Sequence, residues 1–327
     1  MKFEDVANAR KALNDKQNKI KKKAFGVAAA IEVVVIFLFV TLNFNSFKKI
    51  VTKISFDKTP IIYVLPLLFA VVFLILILMP IMVVAIAISL STTKERLQYK
   101  KAYKGYFVGQ SLSKTFANTK YDHGTGLDKQ VLVDTAMIDT GDRYSSNDLT
   151  IGKYKDVDFA QADVHIEEEY KDSDGHTQYR TIFKGRYMVF EFPKKFNSRM
   201  MLSHSHGPTD GINPKTGKAM KRIETESVEF NKCYLTYAED GMEAFYILTP
   251  DFMERAQELG RSHDDKVSFY FVDNKMIIGI NDGNDIFEPP NPKEPIDEKA
   301  EIAKVNKEIN LVLNIIDNLK LDRKTSV

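Results

Sequence analysis

AFGVAAAIEVVVIFLFVTLNF (24–44) and IIYVLPLLFAVVFLILILMPIMVVAIAISL (61–90) decide how the first third of the chain reads. Crossing a bilayer takes about 20 mostly apolar residues. Each run therefore predicts a transmembrane helix, the pair forming a hairpin around a short loop at 45–60. The second run carries no charge. As a helix it would be about 45 Å long against about 30 Å of hydrocarbon, an excess that kinks at Pro66 and Pro80 would absorb. The first run holds one charge, Glu32. A carboxylate in lipid is paired, protonated or beside an aqueous path, so Glu32 is a candidate intramembrane helix contact. The stretch TLNFNS offers no small-residue cleavage site, so the first run reads as a retained anchor rather than a leader.

Lysine and arginine set the expected orientation. Residues 1–23 carry eight, the segment after the second run five, and the loop between the runs four. This bias predicts a multi-pass protein of the cytoplasmic membrane with both termini cytoplasmic. A single thiol, Cys233, agrees with a reducing compartment. Charge is divided along the chain: residues 1–105 hold 17 basic and 6 acidic side chains, and residues 106–327 hold 29 and 38. The basic part suits an anionic leaflet. The acidic part argues against a nucleic-acid partner, which needs a basic surface.

Beyond the runs, residues 91–120 predict a juxtamembrane helix, with Leu97, Tyr103, Phe107, Leu112 and Phe116 at helical spacing. Residues 121–287 predict an antiparallel α+β domain. Within it, 157–170 and 179–192 alternate with period two around the turn KDSDG (171–175). Further strands are expected at 227–237 and 244–248, and a hairpin at 267–272 and 275–280. Thr249–Pro250 marks the start of a helix. The four prolines of EPPNPKEP (288–295) read as a linker. In 296–322, Ile302, Val305, Ile309, Val312, Ile316 and Leu319 repeat at 3-4-3-4-3 spacing, a heptad stripe. Phe3, Val6, Leu13 and Ile20 fall on a similar grid in the basic helix 1–23. The terminal stripe either pairs with another helix, in this chain or a sister subunit, or docks on its own domain.

Motifs for chemistry fail at specific letters. GINPKTGK (211–218) separates Gly211 from Gly217 by five residues, and Ala219 stands where a phosphate loop needs a hydroxyl. Asp172, Asp174 and Gly175 resemble a calcium-loop fragment, but the glycine comes early and Phe183 occupies the bidentate glutamate's place. His204 and His206 would share a face on a strand, yet no full ligand set follows from the spacing. His165, His176 and the run Glu167, Glu168, Glu169 are the residues a hydrolase would draw on. No catalytic, cofactor-binding or metal residue is assigned, and no enzymatic activity is expected.

Three stretches, YSSNDLTIGKYKDVDFAQADVH (144–165), FKGRYMVFEFPKKF (183–196) and ETESVEFNKCYLTYAEDGMEAFYILTPDFMERAQEL (224–259), resemble a bacterial membrane family known as domain of unknown function 3137. Glu224, Ser227, Glu229, Phe230, Asn231, Thr249 and Pro250 carry the most specific part. The resemblance covers roughly 90–285 and implies two spans, a basic helix and a β-rich domain, with no catalytic residues. The expectation is a membrane-anchored, non-enzymatic scaffold or adaptor for a protein partner or a homo-oligomer. A ligand- or lipid-sensing module is the alternative, and an unrecognised hydrolase a third reading.

Overall fold

A computed structural model of the chain describes residues 1–53, 78–79, 81–135, 137–191, 195–207 and 218–318, the side chains of 35, 36 and 38–53 excepted. Two compact units result: Met1–Tyr103 with Pro290–Ile296, and Lys104–Pro289 with Asp297–Val327.

The first unit contains α1 (Phe3–Lys53) and α2 (Thr93–Tyr103). Val6 and Leu13 of the amino-terminal grid are buried, as is Tyr99 on α2. Lys16 and Glu95 join the helices at 2.7 Å. The proline segment, read from sequence as a free linker, lies along these helices. Arg10 donates to the Glu294 carbonyl, Asn14 to that of Pro292, and the Tyr99 hydroxyl to that of Pro290. Proline-rich backbone leaves its carbonyls unpaired by secondary structure, and long side chains on the helices use them.

Among the described residues no helix is long and apolar enough to cross a membrane. This corrects the expected two-span hairpin, the integral membrane partner and the multi-pass localisation with cytoplasmic termini. The stretch 24–44 is not an element of its own. It lies inside the 51-residue α1, with lysines at both ends and Glu32 within it, a carboxylate that a hydrocarbon slab would have to bury. Most of the second run, 54–77 and Pro80, lies outside the described residues.

The second unit is built on a nine-stranded antiparallel sheet. Its strands are β1 (Ala117–Asp122), β2 (Arg143–Tyr154), β3 (Val157–Lys171), β4 (Thr177–Glu191), β5 (Met200–Ser203), β6 (Lys221–Ile223), β7 (Leu235–Ala238), β8 (Val267–Val272) and β9 (Lys275–Ile280), in the order β1-β2-β3-β4-β9-β8-β5-β7-β6. One face carries Val164, Ile166, Phe183, Tyr187, Val189 and Ile277, covered by Leu132 and Met137 around the short α4 (Lys129–Val133). The buried Tyr187 hydroxyl finds its partner in Thr135, 2.8 Å away.

The other face lies under helices. These are a π-helical segment (Lys104–Gly109), α3 (Gln110–Thr115), α5 (Val228–Cys233), α7 (Pro250–Arg261) and the terminal α8 (Glu298–Asn318). Phe116 meets Phe159 edge-on, with ring centroids 4.6 Å apart, and Phe252 reaches Phe269 and Phe271. Along α8, Val305, Ile309, Val312, Ile315 and Ile316 are buried. Burial of such a side chain contributes roughly 1.5–3 kcal/mol. Arg186 of β4 reaches up to Glu308 of α8 at 2.5 Å.

The expected strand 227–237 is helix α5 in its first half and strand β7 in its second, and the strand expected at 244–248 falls largely in a helix. Ser227 caps α5 by accepting from the Phe230 amide, and Asp240 caps α6 (Gly241–Ile247) by accepting from Met242 and Glu243. Each cap satisfies amides that a helix start leaves orphaned, and this local chemistry outweighs the β-rich letters around it. β1 forms where the juxtamembrane helix 91–120 was expected to end.

Gly185 is the tightest point in the sheet. Its φ is +154°, and a Cβ there would stand 2.0 Å from the Ile280 carbonyl oxygen. Gly185→Ala is expected to lower the urea stability of the protein by more than about 1 kcal/mol, without changing its helix content at 25 °C. A variant as stable as the parent would contradict this reading of the β4–β9 approach.

Candidate functional site

Strand β2 breaks step with β3 between Asn147 and Thr150. The break is a bulge, with Asp148 at φ +60°, a conformation that Asp tolerates better than most residues. Bulges re-aim side chains, and this one sends the Asp148 carboxylate into the protein. There Asp148 Oδ2 accepts from Lys104 Nζ (2.5 Å) and Asn147 Nδ2 (2.6 Å), and Oδ1 accepts from the Tyr121 hydroxyl (2.5 Å). Lys104 opens the π-helical segment and is itself buried.

Asp163 of β3 lies opposite Asn147 on one side and Arg186 on the other. It is 5% exposed. Its Oδ2 accepts from the Ile286 amide (3.1 Å), while Oδ1 has no hydrogen-bond partner. Asp285, in the turn after β9, completes the group: the carboxylates of Asp148, Asp163 and Asp285 lie within 4.8 Å of one another. Glu288 stands 3.8 Å from Lys104. Of these four carboxylates, Asp148 and Glu288 meet the Lys104 ammonium directly. Arg186, whose Nη atoms engage the Glu308 carboxylate and carbonyl, opposes part of this crowding by favouring the charged form of Asp163.

Such crowding must be relieved by a proton or a cation. Burial, reinforced by Asp285 and Asp148, pushes the Asp163 carboxyl up to about 8. Burial also raises Asp285, with Lys104 opposing and Glu288 and Asp148 adding to the rise. Burial and the Asp148 charge push the Tyr121 phenol far up, so it stays a donor. Without metal, burial and mutual repulsion both favour the protonated form of Asp163 and Asp285. The donor set is all oxygen, which suits hard cations rather than zinc or copper.

The residues singled out from sequence lie elsewhere. Of the heptad stripe, Val305, Ile309, Val312 and Ile316 are buried within their own unit, Ile302 is 36% exposed, and Leu319 lies outside the described residues. Glu32 is half-buried on α1. His204 and His206 do not converge. The His204 ring lies 4.2 Å from that of Tyr234, with burial lowering its pKa, whereas His206 Nε2 sits 2.9 Å from the Met137 carbonyl. Asp172 accepts from the amides of Asp174 and His176, making an exposed hairpin turn. His165 meets Thr181, and Glu168 and Glu169 pair with Arg180 and Tyr179 on the exposed length of β3–β4. Residues 211–217 of the glycine-rich loop lie outside the described residues.

Sequence reasoning missed Lys104, Asp148, Asp163 and Asp285. One signal was available: Gln161 and Asp163 recur at period two among the apolar residues of FAQADV (159–164). The bulge that adds Asp148 leaves no such mark.

A second surface feature is α6. Its Ala244 is buried, as is Leu248 just after it, while Met242, Phe245 and Tyr246 are 73, 47 and 66% exposed. A groove between α7 and α8, lined by Arg255, Glu258, Leu311 and Ile315 among others, has a volume of about 180 Å³. Ligand pockets usually span roughly 300–1,000 Å³.

Residues 181–321 match the model of a family described as protein of unknown function (DUF3137). The match begins later than the sequence resemblance suggested and takes in the proline segment and α8. No curated protein matches the chain. Among solved structures, the mycobacterial trehalose monomycolate transport factor A, TtfA, is similar over 69% of this chain and 96% of that one, at 8% identity and a TM-score of 0.35.

The carboxylate group makes stability depend on pH. Asp163 has a folded pKa above its unfolded value of about 3.9, so the fold holds the proton more tightly than the unfolded chain does. Its contribution is fully present below about pH 4, declines as the unfolded carboxyl ionises, and is lost as pH passes about 8. In chelator-treated protein, the urea midpoint should fall between pH 5 and 8.5 less steeply for Asp163→Asn than for the parent. Equal slopes would refute the assignment.

Proposed function

We propose that this DUF3137 chain is a non-enzymatic adaptor that holds a protein partner on the apolar face of α6. The observation that carries the reading is the exposure of Met242, Phe245 and Tyr246. Their i, i+3, i+4 spacing places them side by side on one helix face. Methionine and aromatic side chains are what the cores of protein interfaces favour. A surface of three such residues, on the order of 300 Å², is costly to leave wet without a use.

The partner's chemistry follows from charge. With 29 basic and 38 acidic side chains in residues 106–327, this part of the chain favours a segment carrying basic residues around an apolar anchor. The same imbalance works against an anionic lipid surface.

A photo-reactive side chain placed at position 246 of the full chain, irradiated in the native cell, tests the proposal. A discrete adduct with one protein is expected. Phe245→Asp, with unchanged thermal unfolding, should abolish that adduct and weaken the purified pair at least about tenfold. No adduct, an adduct with lipid, or one indifferent to Phe245→Asp would each overturn the reading.

A further inference from the structure

We propose that Asp148, Asp163 and Asp285 form a binding site for one hard divalent cation, with Ca²⁺ preferred. The three carboxylates lie within 4.8 Å of one another, and the two cations facing them are already engaged, Lys104 by Asp148 and Arg186 by Glu308. A divalent ion between them would offset the repulsion of three carboxylates held so close together.

Acidity alone would not mark a site, and a second observation points the same way. Gln161 is 2% exposed and Thr150 is fully buried. They lie opposite one another in register on β3 and β2. Gln161 projects from the same face as Asp163, one side-chain position along. Gln161 Oε1, Thr150 Oγ1 and Asp163 Oδ1 all lack a hydrogen-bond partner. Buried oxygens are rarely left unmatched. A row of three beside a carboxylate group is what a bound ion with its water would satisfy.

The remaining contacts divide the labour. Asp148 Oδ2 is taken by Lys104 and Asn147, leaving Oδ1, which accepts only from Tyr121, with a lone pair for the ion. Asp163 offers Oδ1, its Oδ2 being held by the Ile286 amide. Asp285 supplies the third carboxylate from the turn 281–285, whose Asp282 accepts from the Asn284 amide. The other charged and titratable groups facing the site are Lys104, Tyr121, Arg186 and Glu288. Ca²⁺ is preferred to Mg²⁺ because it accepts many protein oxygens at flexible angles, whereas Mg²⁺ keeps several waters and strict octahedral geometry.

Titration calorimetry of the chelator-stripped full chain with CaCl₂, at constant ionic strength, tests the site. One equivalent should bind at about pH 8, with a matching rise in melting temperature. Asp163→Asn, which keeps the shape and removes one charge, should stay folded and weaken binding at least about tenfold. Asp285→Asn should do the same. The proposal is overturned if neither Ca²⁺ nor Mg²⁺ binds below about 10 mM at pH 8. It fails equally if binding exceeds one equivalent and ignores Asp163→Asn, or if stability follows pH but not Ca²⁺.

Discussion

The contact between Lys104 and Asp148 holds the two layers of the larger unit to each other. Lys104 begins the helical layer and Asp148 sits in the bulge of β2, so a 2.5 Å ion pair joins helix to sheet where both change geometry. Both side chains are almost wholly buried, and removing each charge from water costs several kcal/mol. The pair persists because Asp148 collects three donors on its two oxygens. A buried charge so completely hydrogen-bonded contributes mainly specificity of arrangement. The bulge, the π-helical turn and the rotamers of Tyr121 and Asn147 are coupled through one carboxylate.

The same logic recurs across the sheet. Arg186 links β4 to α8 through Glu308, and Arg199 is matched to Glu239 at 2.6 Å, with both side chains buried. Between these charged pegs the helical side is apolar, with Phe159, Phe190, Phe269 and Phe271 facing α3, α7 and α8. The Lys104 and Arg186 pairs tie the π-helical segment and α8 to the sheet, and the aromatic and aliphatic contacts supply the bulk of the burial. This division explains how one sheet bears helices on one side and a short-helix cover on the other without ambiguity of register.

Much of the sheet was legible in the sequence. The alternation in 157–170 and 179–192 gave β3 and β4 with their turn, and the strands at 267–272 and 275–280 coincide with β8 and β9. Thr249 and Pro250 open α7 as their chemistry demands. Where reading failed, a local interaction invisible to periodicity had won. The Ser227 and Asp240 caps turned β-rich letters into α5 and α6. The apolar stretch 24–44 suggested an independent span, but it is the interior of a longer helix with polar ends. The carboxylate group was hidden because its members come from 148, 163 and 285, brought together by a bulge and a crossover that no spacing reveals.

The strap of prolines across α1 and α2 has a kinetic consequence. Arg10 is bound by the carbonyl of Glu294, 284 positions away. At a synthesis rate of about 5–20 residues per second, the partner of the first helix emerges roughly 15–60 s after it. The smaller unit is therefore begun first and completed late. The nascent amino-terminal helix must wait on the ribosome, with Asn14 and Tyr99 unanchored, while the whole antiparallel sheet is made.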